Sequence, residues 1–324
     1  MTRVASALLL AVALAVSPTR ASADGFPNRP IRLVVAQAPG GQNDAIARML
    51  AQGLAEILRV PVVVENRGGV GGTIGADVVA KASPDGYTLL VGGSSNLAIA
   101  VALHDGLPYD PVRDFVPVRG IAQVSYALAV NAKLQITSVS DLVTYARAHP
   151  GRLSYGSGGN GSTSGLAAEL FKSMAGVDIV QVPYKGSAPA VSDLVSGHVD
   201  IMFADLALVQ QHAKAGTLRL LAVAGEARAP GAPELPTVAE QGYPGFAVSA
   251  WYALVAPAAT PASVVALLDD ALARTLQSDE FRRRLLHQGY EVIDAPAPVL
   301  ATMIRGDITR FGSLVKSAGI RGEQ

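Results

Sequence analysis

The chain of 324 residues contains no cysteine, so no disulfide, thiolate nucleophile, thiolate-bound metal or lipid-modified cysteine is open to it. Aromatic residues make up 5% and charged residues 16%, against 50% hydrophobic ones, which excludes a disordered or fibrous chain and predicts a sizeable core. An excess of one charge sign is also missing. The 26 Lys and Arg balance the 26 Asp and Glu, so no broad basic field exists to draw nucleic acid or an anionic membrane. Beyond the N-terminus every apolar run is broken within a few residues by Gly, Pro or charge, so no membrane span is expected.

What is present begins with Met1-Thr2-Arg3, an apolar run from Val4 to Val16, and the small residues Ala21-Ser22-Ala23. A basic start, a short apolar run and a small-x-small site make a secretory signal peptide, with cleavage expected after Ala23. The run is shorter than the roughly 20 residues that cross a bilayer. Removing residues 1–23 takes away Arg3 and Arg20 and no acid, leaving 24 basic against 26 acidic side chains. A soluble, exported protein is expected.

The mature chain alternates strand and helix. Ile31 to Val35 is a short β-branched run that reads as a buried parallel strand, followed by the turn Ala38 to Asp44. Asn43 is a candidate N-cap for a helix to about Leu58, with Ile46, Leu50, Leu54 and Ile57 on one face. Strands at Pro61 to Glu65 and Tyr87 to Val91 flank a glycine-rich loop and a second helix. From Tyr126 a comparable unit begins: strand, Ser138-capped helix, Ser154-Tyr155, the loop Gly156 to Ser164, a helix, then strands and a helix out to Ala224. Pro230, Pro233 and Pro236 mark a surface connection to a strand near Val248 to Val255 and three final helices. Such alternation predicts an α/β fold with mostly parallel sheets flanked by helices. Ligands bind beyond the carboxyl ends of strands in such sheets, so both loops should line a cleft.

Several chemistries lack their residues. The stretch Gly68 to Gly75 follows a strand and opens a helix, but Ile74 stands where a dinucleotide loop needs its third glycine. No phosphate-loop lysine motif and no G-x-S-x-G occur, and Ser313-x-x-Lys316 has no partner motifs. The five histidines are never two to five apart, so no local metal box forms. No catalytic residue, metal or cofactor is expected. The loop Gly156 to Ser164 offers hydroxyls, an amide and open backbone N–H groups ahead of a helix, an anion cradle without formal charge. The Pro39 to Asp44 loop is a second one. Two facing donors suit a carboxylate.

Six segments carry a resemblance to a known family: Ala38-Pro39-Gly40-Gly41-x-x-Asp44-x-x-Ala47-Arg48, Val64-Glu65-Asn66-Arg67-Gly68-Gly69-x-Gly71-Gly72, Pro84-Asp85-Gly86-Tyr87-Thr88-Leu89, Leu107-Pro108-Tyr109-Asp110-Pro111-Val112-Arg113-Asp114-Phe115, Val182-Pro183-Tyr184-Lys185-Gly186 and Trp251-Tyr252-x-Leu254-x-Ala256-Pro257. In this order they resemble the Bug-type solute receptors of tripartite tricarboxylate transporters. The resemblance implies a periplasmic two-domain clamshell that captures a small carboxylated solute and delivers it to a membrane permease. The expected domains are 24–125 plus 249–324 and 126–248, with the cleft between them and hinges near Ala122 to Tyr126 and Ala247 to Trp251. Carried over by position, the first loop supplies Ala38, Pro39, Gly40, Gly41, Asn43 and Asp44, and the second Ser157, Asn160, Gly161, Ser162 and Thr163. Ser95, Asn96 and Asp205 match further cleft positions, and Tyr184 and Trp251 are candidate apolar walls. The sequence departs from the family at Gln37, at Gln42-Asn43, at Gly165 and at Ala100-Val101, which leaves the carboxylate class open. A monomer without nucleic-acid partners is expected. Two alternatives stay open: an exported hydrolase using Asp44 or Asp205 with water, and a receptor reporting to a membrane sensor.

Overall fold

The structure is a computed structural model that describes residues 25–37, 39–104, 106–159, 162–184, 186–317 and residue 320. The expected signal peptide lies outside the described residues, as do Ala38, Asn160 and Gly161 of the candidate loops.

Strand β1 (Ile31–Val35) lies between β2 (Val62–Asn66) and β3 (Thr88–Gly93), parallel to both. Ile31, Leu33 and Val35 face one core and Val34 the other, which is why the strand reads as an unbroken apolar run. Helix α1 (Gln42–Leu58) covers the first face through Ile46, Leu50 and Leu54. The expected cap is corrected: Gly41 is the N-cap, and no side chain caps the helix. Asn43 turns inward instead, its Nδ2 donating to the Val91 carbonyl of β3 at 2.9 Å, because a buried amide needs a buried partner.

The chain continues through α2 (Thr73–Ala80), a wide turn at Ser95–Ile99, α3 (Ala100–Leu103) and β4 (Phe115–Val124). It then builds a second sheet with β5 (Tyr126–Asn131), α4 (Val139–Ala148), β6 (Ser154–Ser157), α5 (Thr163–Ala175), β7 (Val180–Pro183), α6 (Ser187–Ser196), β8 (Ile201–Asp205), α7 (Leu206–Lys214) and β9 (Leu218–Val223). It returns to the first through β10 (Ala250–Pro257), α8 (Ala262–Gln277), α9 (Asp279–His287), β11 (Tyr290–Val292) and α10 (Ala297–Ser317).

The strand orders are β11-β4-β10-β3-β1-β2 and β7-β6-β8-β5-β9. In the first sheet β1, β2, β3 and β4 run one way and β10 and β11 the other. In the second only β5 is reversed. Most strands therefore share one direction, but both sheets are mixed, which corrects the expected mostly parallel pairing: the pairs made by β5 and β10 and the pair β4–β11 are antiparallel. These two are the strands by which the chain enters one sheet from the other. Ser125 alone separates β4 from β5, and Ala250 pairs with Val124, so the two crossings lie side by side.

Two elements carry little signal in the sequence. β4 contains Pro117 and Gly120 and is bulged twice against β10, so it lacks a strand's alternation. Helix α7 follows β8 with no intervening turn, because Asp205 both ends the strand and precedes the helix. Arg119 on β4 is bound through Nε and Nη2 to Asp269 of α8 and through Nη1 to Asp294, which fixes the bulged strand to the C-terminal helices.

One contact joins the C-terminal part of the first sheet to the second. Gly289 has φ +77°, and a Cβ placed there would lie 1.9 Å from Ala207 Cβ on α7. Only glycine tolerates both the conformation and the approach. Gly289→Ala is expected to cost about 2–4 kcal/mol in urea unfolding, from strain plus overpacking. Adding Ala207→Gly should recover the packing share. An undiminished loss in the double variant would mean that the Ala207 contact contributes nothing.

Candidate functional site

Both candidate loops leave the carboxyl ends of parallel strands, β1 and β6, and each opens a helix. In α1 the first intrahelical bond runs from Ala45 N to Gly41 O, so the amides of Gln42, Asn43 and Asp44 precede it. In α5 Leu166 N bonds Ser162 O, so those of Thr163 and Ser164 do. The helix dipole makes both ends positive.

The hydroxyls of the second loop hold the loop itself. Ser162 is the N-cap of α5, its Oγ accepting from Gly165 N at 3.1 Å. Gly158 N donates to Ser164 Oγ at 2.9 Å, and Ser164 Oγ lies 3.1 Å from Ser162 Oγ. Ser157 is buried at the end of β6 and accepts from Gln181 Nε2 at 3.1 Å and Gly159 N at 3.4 Å. Amides, not hydroxyls, are thus the groups this loop leaves for a guest.

In the first loop Pro39 and Gly40 are exposed, Gly41 is half-buried, and Asn43 and Asp44 are buried. Asp44 Oδ2 accepts from Gly40 N and from Arg48 Nε, each at 3.0 Å, and so ties the loop to the helix. Burial pushes the Asp44 carboxyl up, but the hydrogen bonds from Arg48, Gly40 and Asn66 outweigh it and hold the group below its ordinary value. Beside this loop, at the end of β3, Ser95 is half-buried, while Ser94 and Asn96 are buried. Asn96 Oδ1 accepts from Gly93 N at 3.0 Å. Ser94 was not singled out from the sequence, although the run Gly92-Gly93-Ser94-Ser95-Asn96 is a small polar strand end like the two loops.

Asp205 is buried at the end of β8, in a cluster built from both sheets. Tyr126 of β5 is hydrogen-bonded to Asp205 and to Thr163. Burial first, and then the Asp205 charge, push the phenols of Tyr126 of β5, Tyr252 of β10 and Tyr290 of β11 upward. All three phenols stay neutral in the field of the carboxylate. No sequence pattern reveals the grouping, because its members come from separate elements. Leu166 in the first turn of α5 shares an apolar cluster with Ala98 and Ile99 after β3 and with Phe311 and Val315 of α10. The structure therefore brings the second loop's helix against the β3 end.

Other candidates serve packing. Trp251 lies in the core beside Val34 and Leu90, its Nε1 donating to Asp307 Oδ2 at 2.6 Å. The Tyr184 hydroxyl donates to Asp193 at 2.7 Å, and burial with that bond pushes it up to about 12. At Gly75 a Cβ would fall 2.7 Å from Ala36 Cα and from the Arg67 carbonyl, so the glycine-rich loop exists to pack α2 against the end of β1. Among the described residues no group of three or more His, Asp or Glu can hold a metal ion, and no helix is long and apolar enough to cross a membrane.

Comparison with known proteins adds the family. The sequence description of the tripartite tricarboxylate transporter family receptor matches residues 46–320. Protein BugT of Bordetella pertussis is 37% identical over 322 residues, 99% of each chain. A solved R. palustris protein with adipate is 38% identical, with a TM-score of 0.85 over 92% of this chain and 100% of that one. MatC from Rhodopseudomonas palustris with bound malate is 35% identical, with a TM-score of 0.83 over 90% of this chain and 100% of that one. The two-sheet α/β architecture is that of these binding proteins, and the family is one of solute receptors, not enzymes. On the family match and the full-length identity to BugT, the chain belongs to the tripartite tricarboxylate transporter receptor family.

Proposed function

We propose that the chain captures a small carboxylated solute between the loops Ala38 to Asp44 and Ser157 to Thr163 and hands it to the permease of a tripartite transporter. Two helix N-termini at the carboxyl ends of β1 and β6 carry this reading, joined by the packing of Leu166 with Ile99. Several N–H donors and two helix dipoles share a carboxylate's charge without an arginine. The adipate and malate named for the two R. palustris neighbours are acids of this class.

In this reading residues 24–125 with 249–324 form one lobe and 126–248 the other, the leader directs export to the periplasm, and the mature protein works as a monomer. The crossings at Ser125 and ahead of Ala250 act as hinges. A solute that prefers the closed arrangement shifts the lobes toward it, and the permease reads that state. Pro39, Gly40, Gly41, Asn43, Ser95, Asn96, Ser162 and Thr163 line the cleft in this reading, and the resemblance assigns Ala38, Asn160 and Gly161 to the same ligand. Asp44, Ser157 and Asp205 hold its walls.

A thermal-shift screen of the mature protein against mono-, di- and tricarboxylates, amino acids and aromatic acids tests the reading. At about 100 times its Kd a ligand adds about 2.7 kcal/mol of stability. One carboxylate is expected to raise Tm, with the shift lost in Ser162→Ala, which removes the cap of α5. A screen in which only neutral or cationic solutes raise Tm contradicts the anion cradle.

The Asp44 tie adds a pH dependence. Its folded carboxyl sits below the ordinary 3.8, so the tie contributes in full above that value and is lost as pH falls through the folded one. The stability gap between wild type and Asp44→Asn in urea unfolding is expected at pH 7 and should close toward about pH 2. A gap that does not change with pH would show that the ionised carboxylate plays no part.

A further inference from the structure

Asn43, Ser94 and Asn96 are each 1% exposed, and each keeps one polar atom without a hydrogen-bond partner among the described residues: Asn43 Oδ1, Ser94 Oγ and Asn96 Nδ2. The other end of each amide is used at β3, which fixes its orientation. Asn43 Nδ2 donates to the Val91 carbonyl at 2.9 Å, so the remaining atom is an oxygen that can only accept. Asn96 Oδ1 accepts from Gly93 N at 3.0 Å, so its remaining atom is a nitrogen that can only donate. The Ser94 hydroxyl does either. All three belong to one place, because Asn43 of the first turn of α1 and Asn96 bind the backbone of Val91 and Gly93 at the end of β3, and Ser94 is the residue that follows that strand. Asn96 Nδ2 is also confined: a Cβ on Gly72 would lie 3.0 Å from it.

An ionised carboxylate only accepts hydrogen bonds. It satisfies Asn96 Nδ2 and Ser94 Oγ, but it sets lone pairs against Asn43 Oδ1. A hydroxyl donates and accepts at once, so its chemistry suits an acceptor such as Asn43 Oδ1 and a donor such as Asn96 Nδ2 alike. Resting on the receptor reading above, we propose that this corner selects hydroxycarboxylates over the same acids without the hydroxyl. Asn43 is then the specificity-determining residue, with Ser94 beside it. A site built around a ligand hydroxyl rejects the analogue lacking it, because the buried groups of the site are left unpaired.

Isothermal titration calorimetry of the mature protein with three matched pairs tests this: propionate against lactate, succinate against malate, and tricarballylate against citrate. Each pair differs by one hydroxyl. In whichever pair binds, the hydroxy acid is expected to bind at least ~10-fold tighter, a difference of about 1.4 kcal/mol. Asn43→Leu and Ser94→Ala should each bring that ratio toward one. Should Asn43→Leu fail to fold, Ser94→Ala, which has no hydrogen bond to lose, reads the same ratio. Equal affinities within a pair that binds, or a ratio unmoved by Ser94→Ala in a folded protein, overturn the selectivity and leave the receptor reading standing. No binding of any of the six acids overturns the selectivity for these hydroxy acids, and the receptor reading then rests on the wider thermal-shift screen.

Discussion

The first turn of an α-helix carries amides that its own backbone cannot satisfy, and this chain places two such turns, at Gln42 and Thr163, at the carboxyl ends of strands in separate sheets. The remaining features arrange themselves around that constraint. The reversed strands β5 and β10 carry the chain between the sheets. Both crossings lie side by side, Leu166 of α5 and Ile99 after β3 share one apolar cluster, and Asp205 of the second sheet is grouped with tyrosines of both.

The acidic residues of the site belong to its framework. Asp44 accepts from Gly40 and Arg48 and shapes the first loop. Asp205 is matched to Tyr126 and lies among phenols whose upward shift keeps them protonated. A hydrolase would need one of these carboxylates poised beside a nucleophile or water. Each is instead committed to backbone, arginine or tyrosine, in keeping with a receptor family. The serines behave likewise: Ser157, Ser162 and Ser164 knit the second loop by accepting from Gly159, Gly165 and Gly158.

Much of this was legible from residue order. The β/α alternation, the helix faces and the Ser138 cap follow from local patterns, because short-range sterics and hydrogen bonds decide them, whereas the Ser162 cap of α5 emerged only in the structure. Asn43 misled, since its side chain type suits a cap equally well and only the proximity of Val91 turns it inward. β4 was hidden by Pro117, Gly120 and two bulges, and α7 by the missing turn after Asp205. Ser94 and the tyrosines around Asp205 escaped for another reason. Their meaning lies in which strand ends meet, and that is set by the order of strands across the two sheets.

The central claim is that two helix ends share one anion. It is tested most directly by amide chemical shifts in a 15N-labelled mature protein titrated with a carboxylate that raises its melting temperature. Gln42, Asn43 and Asp44 on one side and Thr163 and Ser164 on the other should move together, downfield in the proton dimension, with a single saturation curve. Shifts confined to one helix end, or centred elsewhere on the protein, would contradict it.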